Sequence, residues 1–229
     1  MKYLEVLKKV NPGTYAKVIT ALTAAGLGAI AVTSTNPTPE QTGVIEKVVA
    51  PIQSQRDNKA EYWRTCCTSS NAMMLDHYRD LMPGKSSVVA DDDYYDSVVK
   101  RGDTTDHSVH SRALLAWGLD TYWDGDGNYS KLLSYLAKGN VTVVNIAHKG
   151  VIDRRVYGGH CIKIVNYDPI KKEFLVNDPW GRLGNYSGQP NKLDGVYKIS
   201  ANELQIRWQG GARYITKAQA DKLGIERGI

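Results

Sequence analysis

The chain has 229 residues, of which 42% are hydrophobic and 23% charged, and these values suit one folded domain with a sizeable core. Its formal net charge of +5 is concentrated at one end, since residues 1–35 contain four lysines and one glutamate and so account for +3. The remaining +2 is too small for the clustered Lys and Arg surface that nucleic acid requires, so we expect no nucleic-acid partner.

The first 44 residues differ in composition from the rest of the chain. Residues 1–35 predict an N-terminal helical segment, within which residues 18–35 carry no charge. This uncharged run is only weakly hydrophobic, and it is interpreted either as a signal or anchor with membrane contact, or as a helix used in packing or oligomerisation. Residues 36–44 predict a linker, and residues 45–229 predict the main domain.

Hydrophobic spacing in the main domain predicts helices first and strands afterwards. The predicted helices are Ser69–Met82, Val109–Trp117 and Ser130–Lys138, and Asp91-Asp92-Asp93 marks a further helix start. The predicted strands are Val141–Ala147, Cys161–Tyr167, Glu173–Asn177 and Gly195–Ile199. Because helices and strands are segregated along the chain, we predict an α+β fold with an antiparallel sheet rather than a doubly wound one.

The spacing of the three cysteines predicts neither a disulfide framework nor a metal site. Cys66 and Cys67 are neighbours, which suit disulfide geometry poorly, and the set completed by Cys161 and His160 lacks a spaced Cys-x-x-Cys pair. Cys66 precedes a predicted helix, whose free N–H groups and dipole favour a thiolate. Cys66 is therefore a candidate nucleophile, with a buried core thiol as the alternative.

A predicted β-hairpin brings a histidine and a carboxylate together. His160 opens its first strand, and residues 168–172 form a turn that folds the second strand back, so that Asp178 comes near the imidazole. Asp178 would accept a hydrogen bond from the ring and fix its tautomer, whereas Asn177 faces the other side of the strand. Asp178 is preferred for this role, and Asn177 remains the alternative. As part of an ordinary surface turn, Asp178 would instead cap the residues that follow it.

Four stretches, taken together and in this order, resemble one known family. They are Gln53–Asn58, Thr65–Met73, Gly159-His160 and Asn177–Gly181. They are similar to the papain-like cysteine peptidases related to the bacteriocin double-glycine leader peptidases, a kind of domain also found in bacteriophage lysins. The resemblance covers about residue 53 to about residue 215. It implies a papain-like fold in which N-terminal helices pack on an antiparallel sheet.

The resemblance also implies roles for four residues. Cys66 would be the nucleophile and His160 the general base and then the acid, with Asp178 as the residue that orients the imidazole. Gln55 would donate a side-chain hydrogen bond to the oxyanion, together with the backbone N–H of Cys66.

Two of these assignments have a competitor nearby in the sequence. Cys67 is the alternative nucleophile, because the family commonly has a Gly or another small or polar residue after its cysteine. The family's spacing to Ser70 is kept only if Cys66 is chosen. Gln53 competes with Gln55, which lies farther from Cys66 than the usual glutamine of the family.

The sequence thus predicts a cysteine hydrolase, a peptidase or amidase that needs no cofactor or metal. Peptidoglycan peptides are the predicted substrate, as for a phage-type lysin. The protein is expected to be secreted or located in the bacterial cell envelope, or to be phage-encoded and virion-associated. Two alternatives stay open: a leader or general peptidase, and a catalytically silent virion structural or binding protein with the same fold.

Overall fold

The computed structural model describes residues 52–84, 89–183 and 195–229. The predicted N-terminal segment, residues 1–35, its membrane contact and the predicted linker, residues 36–44, lie outside the described residues. Within the three described ranges, every helix is too short or too polar to cross a bilayer.

Six α-helices and two short 3₁₀ helices lie in the described part of the chain. The α-helices are α1 (Cys66–Arg79), α2 (Asp91–Val99), α3 (His107–Ala116), α4 (Tyr129–Ala137), α5 (Ala201–Arg207) and α6 (Lys217–Leu223), and the 3₁₀ helices are Gln55–Asp57 and Tyr62–Arg64. Side chains cap the N-termini of α3 to α6, each accepting a hydrogen bond from the first turn. Helix α1 begins without such a cap, because the Thr65 side chain makes no capping bond.

Eight strands form two antiparallel sheets in the same part of the chain. The strands are β1 (Thr121–Asp124), β2 (Thr142–Ile146), β3 (Lys149–Val151), β4 (Arg155–Tyr157), β5 (His160–Asp168), β6 (Glu173–Asn177), β7 (Val196–Ser200) and β8 (Trp208–Ile215). Six of them form one sheet in the order β1-β8-β2-β5-β6-β7, and β3 pairs with β4 in a separate hairpin. The predicted α+β fold with an antiparallel sheet is confirmed.

Most predicted elements are present, and β6 has the predicted bounds. The predicted start of the first helix is wrong, since α1 begins at Cys66 and not at Ser69. Residues 68–70, Thr-Ser-Ser, have the composition of a cap, but all three are fully buried within the helix. Strands β1, β3, β4 and β8 and helices α5 and α6 were not predicted.

Helix α1 packs against β5 through three residues on one face. Cys67, Ser70 and Met73 are spaced by three, so they lie on the same side of the helix. Cys67 forms a disulfide with Cys161, the Ser70 hydroxyl donates to the Cys161 carbonyl at 2.9 Å, and the Met73 carbonyl accepts from Lys163 Nζ at 3.2 Å. These bonds fix the N-terminal half of α1 against the first residues of β5.

The prediction that the cysteines form no disulfide is wrong. Cys67 and Cys161 are bonded, with their Cα atoms 4.9 Å apart and a sequence separation of 94. The spacing argument applies to the neighbours Cys66 and Cys67, which indeed do not bridge each other. The spacing of the cysteines cannot show that β5 passes beside the first turn of α1, because this contact depends on the tertiary fold.

Strand β8 carries a fully buried charge at Arg213. Its guanidinium donates to the Ser111 and Thr121 hydroxyls at 2.7 and 3.1 Å and to the His107 carbonyl at 2.8 Å. The ring of Trp123 lies 5.5 Å away. Burial lowers the pKa of Arg213 to about 10. This one side chain therefore links β8 to α3 and β1.

Replacing Arg213 with alanine is expected to lower the free energy of unfolding by about 3 kcal/mol, because the change leaves a cavity and removes the hydrogen bonds that the guanidinium donates to Ser111, Thr121 and His107. Urea denaturation would measure this loss. The matched control is Arg154→Ala on the exposed turn of the β3–β4 hairpin, which should change stability by less than about 0.5 kcal/mol. Equal losses in the two variants would contradict the structural role of Arg213.

Candidate active site

The Cys66 sulfur lies at the N-terminus of α1 and is the free thiol of the three cysteines, all of which the structure describes. It accepts hydrogen bonds from the His160 side chain and from the backbone N–H groups of Cys161 and Cys67. Burial raises the pKa of the Cys66 thiol, but these hydrogen bonds and the charge on His160 outweigh burial and lower it overall. The site therefore favours the thiolate.

The His160 ring is the buried first side chain of β5, and it bridges the thiol and a carboxylate. Its Nε2 lies 2.6 Å from Asp178 Oδ1, which leaves Nδ1 for Cys66. Burial lowers the pKa of His160, but the charge and hydrogen bond of Asp178, with those of Cys66, raise it overall to about 10. The lowered thiol pKa and the raised imidazole pKa both favour a thiolate–imidazolium pair over the neutral thiol and imidazole.

The Asp178 carboxylate is buried and held from several sides. Its Oδ1 also accepts from the Trp180 backbone N–H at 2.9 Å, and its Oδ2 accepts from the Tyr197 hydroxyl at 2.9 Å. Its backbone N–H donates to the Gly195 carbonyl at 2.7 Å. A Cβ at position 195 would lie 2.3 Å from the Asp178 carbonyl oxygen, so only glycine fits there.

Of the two residues predicted to orient His160, Asp178 makes the bond to the ring. The register of β5 and β6 explains this. Lys163 pairs with Asn177, so the residues that follow Asn177 run alongside Ile162 and Cys161 and approach His160. Asp178 follows the last residue of β6 and reaches the open end of the hairpin.

The two candidate glutamines have different surroundings. Gln55 is buried in the first 3₁₀ helix, where its Nε2 donates to the Tyr62 carbonyl at 2.7 Å and its backbone N–H donates to the Pro179 carbonyl at 2.9 Å. Gln53 instead uses its Nε2 to bind Asp76 Oδ2 at 2.6 Å and the Val89 carbonyl at 2.7 Å. Gln55 is thus hydrogen-bonded to the turn that follows Asp178, whereas Gln53 is hydrogen-bonded to Asp76 in the C-terminal half of α1.

Three aromatic side chains lie beside the turn, and two of them, Tyr62 and Trp63, were not predicted as part of the site. Tyr62 and Trp180 stack with centroids 6.4 Å apart, and Trp63 meets Tyr62 edge to face at 5.5 Å. Tyr62 and Trp63 are 47% and 65% exposed, so they form an accessible aromatic patch next to the buried carboxylate. Two aromatics in a row between charged neighbours, just before Cys66, were a usable signal for it.

Tyr197 was missed as well, and no local pattern identifies it. Its partner Asp178 is 19 residues away in sequence, and the contact depends on the pairing of β6 with β7. His148 is a further neighbour, with its ring centroid 5.3 Å from that of His160. Burial, followed by the charge on His160, lowers the pKa of His148 to about 4, so His148 stays neutral beside the charged ring.

The three cysteine sulfurs all lie within 4.8 Å of one another, although their sequence spacing predicted no metal site. Two of the three are used in the Cys67–Cys161 bond. In this oxidised state the cluster offers the single thiolate of Cys66, with His160 already engaged by Asp178. A structural zinc site needs four ligands, so this cluster in its oxidised state does not supply a complete set.

Several solved structures have a similar fold. The peptidase domain of Streptococcus ComA, a bi-functional ABC transporter involved in quorum sensing, is 17% identical, with 72% of this chain and 97% of that chain covered and a TM-score of 0.48. A C39-like peptidase described from Bacillus anthracis is 15% identical, with coverages of 74% and 94% and a TM-score of 0.48. Procathepsin L2 of Tenebrio molitor larval midgut is 14% identical, with coverages of 85% and 71% and a TM-score of 0.41. At this level of similarity, none of these proteins indicates what this chain cleaves.

No curated protein matches the sequence. A family model, that of the Peptidase_C39-like family, matches residues 48–210, which is well over half of the chain. This match confirms the predicted relationship to the double-glycine leader peptidases and the predicted enzyme class. The chain belongs to the Peptidase_C39-like family and is a cysteine peptidase.

Proposed function

We propose that the protein hydrolyses peptide amide bonds with Cys66 as nucleophile, His160 as acid and base, and Asp178 as the residue that orients the imidazole. The observation that carries this proposal is the continuous set of hydrogen bonds from the Cys66 sulfur through the His160 ring to the Asp178 carboxylate. Nucleophilic catalysis requires this order of groups, because the base must contact the nucleophile and a third group must hold the base.

The reaction begins with the Cys66 thiolate, which attacks the carbonyl carbon of the substrate amide. The carbonyl oxygen becomes an oxyanion, which the backbone N–H of Cys66 and the second N–H of Gln55 Nε2 stabilise. The Cys66 N–H is available because it belongs to the first residue of α1. The other N–H of Gln55 Nε2 already donates to the Tyr62 carbonyl, which holds the amide in place.

Collapse of this intermediate breaks the carbon–nitrogen bond. His160 gives its Nδ1 proton to the leaving amine, and the acyl group stays on Cys66 as a thioester. His160 then takes a proton from water, whose oxygen attacks the thioester. The carboxylic acid departs and the thiolate–imidazolium pair is restored. Throughout this cycle, the bonds of Asp178 to Trp180 and Tyr197 keep the imidazole in one orientation.

For the substrate, we propose peptides of the bacterial cell wall, with the protein secreted or in the cell envelope, as for a phage-type lysin. The Cys67–Cys161 disulfide supports this location, because disulfides persist in oxidising compartments and are rare in the cytosol. The aromatic patch supports an extended or sugar-linked peptide, since Tyr and Trp rings present a broad apolar contact surface beside the proposed nucleophile.

Digestion of purified murein, followed by mass spectrometry of the released fragments, tests the substrate. We expect new amino and carboxyl termini within the wall peptides. Release of fragments from a double-glycine leader peptide, with murein left intact, would contradict the cell-wall proposal and favour a leader peptidase.

The Cys66→Ala variant is expected to lose hydrolysis by at least about 10³-fold, because no other thiolate replaces the nucleophile. The assay is the release of new amino groups from murein or from a peptide pool. Lys222→Ala, on the exposed end of α6, is the control and should keep full activity. Undiminished hydrolysis by the Cys66 variant would exclude the proposed nucleophile, and a wild-type protein without any hydrolysis would favour the silent binding protein.

The rate of Cys66 alkylation by iodoacetamide is expected to stay high at acidic pH. A free thiol with a pKa near 8.5 loses reactivity by roughly 80-fold between pH 8 and pH 6. Since the pKa of Cys66 is lowered, its alkylation rate should fall by clearly less than this over the same range. Mass spectrometry of the labelled peptide gives the rate.

The Asp178→Asn variant serves as the comparison in this experiment. Asp178 raises the pKa of His160, so its loss lowers that pKa and removes the imidazolium that stabilises the thiolate. The pKa of Cys66 then rises, and labelling at pH 6 should slow toward that of a free thiol. An unchanged profile would show that the carboxylate does not support the pair.

Gln55→Ala is expected to lower kcat by about 10²-fold with little change in KM, because the missing donor acts mainly on the oxyanion. Gln53→Ala is the matched control, since its amide binds Asp76 and the Val89 carbonyl. That variant should lose thermal stability and keep its kcat at a temperature where it is folded. If the two variants exchanged these effects, Gln53 would be the oxyanion donor.

A further inference from the structure

Cys161 contacts the first turns of α1 through three separate groups. Its backbone N–H donates to the Cys66 sulfur, its own sulfur is bonded to Cys67, and its carbonyl accepts from the Ser70 hydroxyl at 2.9 Å. One residue of β5 therefore contacts the proposed nucleophile, the residue after it and the next turn of the helix.

The disulfide joins two positions that each directly follow a reacting residue. Cys67 follows Cys66 in α1, and Cys161 follows His160 in β5. The bond holds the two Cα atoms 4.9 Å apart, although their sequence separation is 94. It therefore limits how far the nucleophile and the imidazole can move relative to each other.

The other links between α1 and β5 described above are weaker and lie farther from the reacting groups. Ser70 and Met73 contribute single hydrogen bonds, one and two turns along the helix from Cys67. A displacement of about 1 Å at reacting atoms costs roughly 100-fold in rate. A covalent link at the first turn restricts such a displacement far more than those two hydrogen bonds do.

The three cysteine residues also differ in exposure. Cys67 and Cys161 are only 6% and 3% exposed, whereas Cys66 is partly exposed. The disulfide joins the two least exposed cysteines of the cluster, so a thiol reductant reaches it slowly. The two kinds of sulfur can be in opposite oxidation states in one molecule, as they are in this structure.

We propose that the Cys67–Cys161 disulfide is a positioning element for the Cys66–His160 pair, so that the peptidase works with Cys66 reduced and the disulfide intact. This inference rests on the proposed function of Cys66 and His160. A dithiol reductant acts on the enzyme in two steps. Where Cys66 has formed a mixed disulfide with a small thiol, the reductant first cleaves that S–S bond and releases both thiols. At higher concentration it transfers two electrons and two protons to the Cys67–Cys161 disulfide, giving two thiols and an oxidised, cyclic reductant.

The test compares the wild type with the Cys67→Ala/Cys161→Ala double variant and with Ser70→Ala. The double variant removes the covalent link, and Ser70→Ala removes one hydrogen bond between the same two elements. We expect the double variant to lose about 10-fold to 100-fold in kcat with KM nearly unchanged. Its Cys66 alkylation at pH 6 should slow at least about 10-fold, since a displaced imidazolium no longer stabilises the thiolate. Ser70→Ala should keep the wild-type alkylation profile.

Circular dichroism and the melting temperature separate positioning from folding. If the double variant melts at a lower temperature but keeps the wild-type kcat and alkylation profile when folded, the disulfide only stabilises the fold and the proposal is overturned. If the double variant does not fold, graded reduction of the wild type replaces it. Activity should then fall in proportion to the disulfide lost, as peptide mapping records it.

Two outcomes keep this proposal distinct from the proposed function. Loss of hydrolysis in Cys66→Ala together with full activity after complete reduction of the disulfide would refute the positioning role alone. Full hydrolysis by Cys66→Ala would refute the proposed function, and the positioning role with it. Peptide mapping that finds Cys66 bonded to Cys161 in the active enzyme would also overturn the inference.

Discussion

The approach of the N-terminus of α1 to the first residues of β5 is the constraint on which the whole site depends. It places the thiol of Cys66 beside the buried imidazole of His160, and burial alone would oppose a charge on either group. The pair can be charged because each partner compensates the other, and because backbone N–H groups and the Asp178 carboxylate supply further opposite charge and dipoles. The absence of a side-chain cap at Thr65 fits this arrangement, since the sulfur itself accepts an N–H of the first turn.

The rest of the domain supports that contact from both sides. The turn after β6 is held by Gly195 on one side and by the first 3₁₀ helix on the other, through the bond from Gln55 to Pro179. The carboxylate is thereby fixed before any substrate arrives, so little reorganisation is needed when charge moves during the reaction. The family match and this geometry agree on a cysteine peptidase, while the choice of substrate rests on the surface around the site.

Sequence reasoning succeeded where the signal is local and failed where it depends on tertiary contacts. Strand β6 and the nearness of Asp178 to His160 follow from a short hairpin, whose register a sequence pattern can indicate. Strand β8 was missed because Gly210 and Gly211 interrupt its pattern, yet a Cβ at Gly211 would lie 2.1 Å from the Trp123 ring, so glycine is required there. The Cys67–Cys161 disulfide depends on the contact between α1 and β5, and the hydrogen bond of Tyr197 depends on the pairing of β6 with β7. Neither contact can be read from the spacing of residues in the sequence.

The position of β8 in the sheet has a consequence for synthesis of the protein. This strand comes last in the chain but lies between β1 and β2. While the ribosome still holds residues 208–215, β1 lacks the strand with which it pairs, and the edge of β2 that pairs with β8 is open. The six-stranded sheet is therefore completed only after residue 215 has left the ribosome. A chain cut at residue 210, where the family match ends, would retain those two open edges permanently and would tend to aggregate.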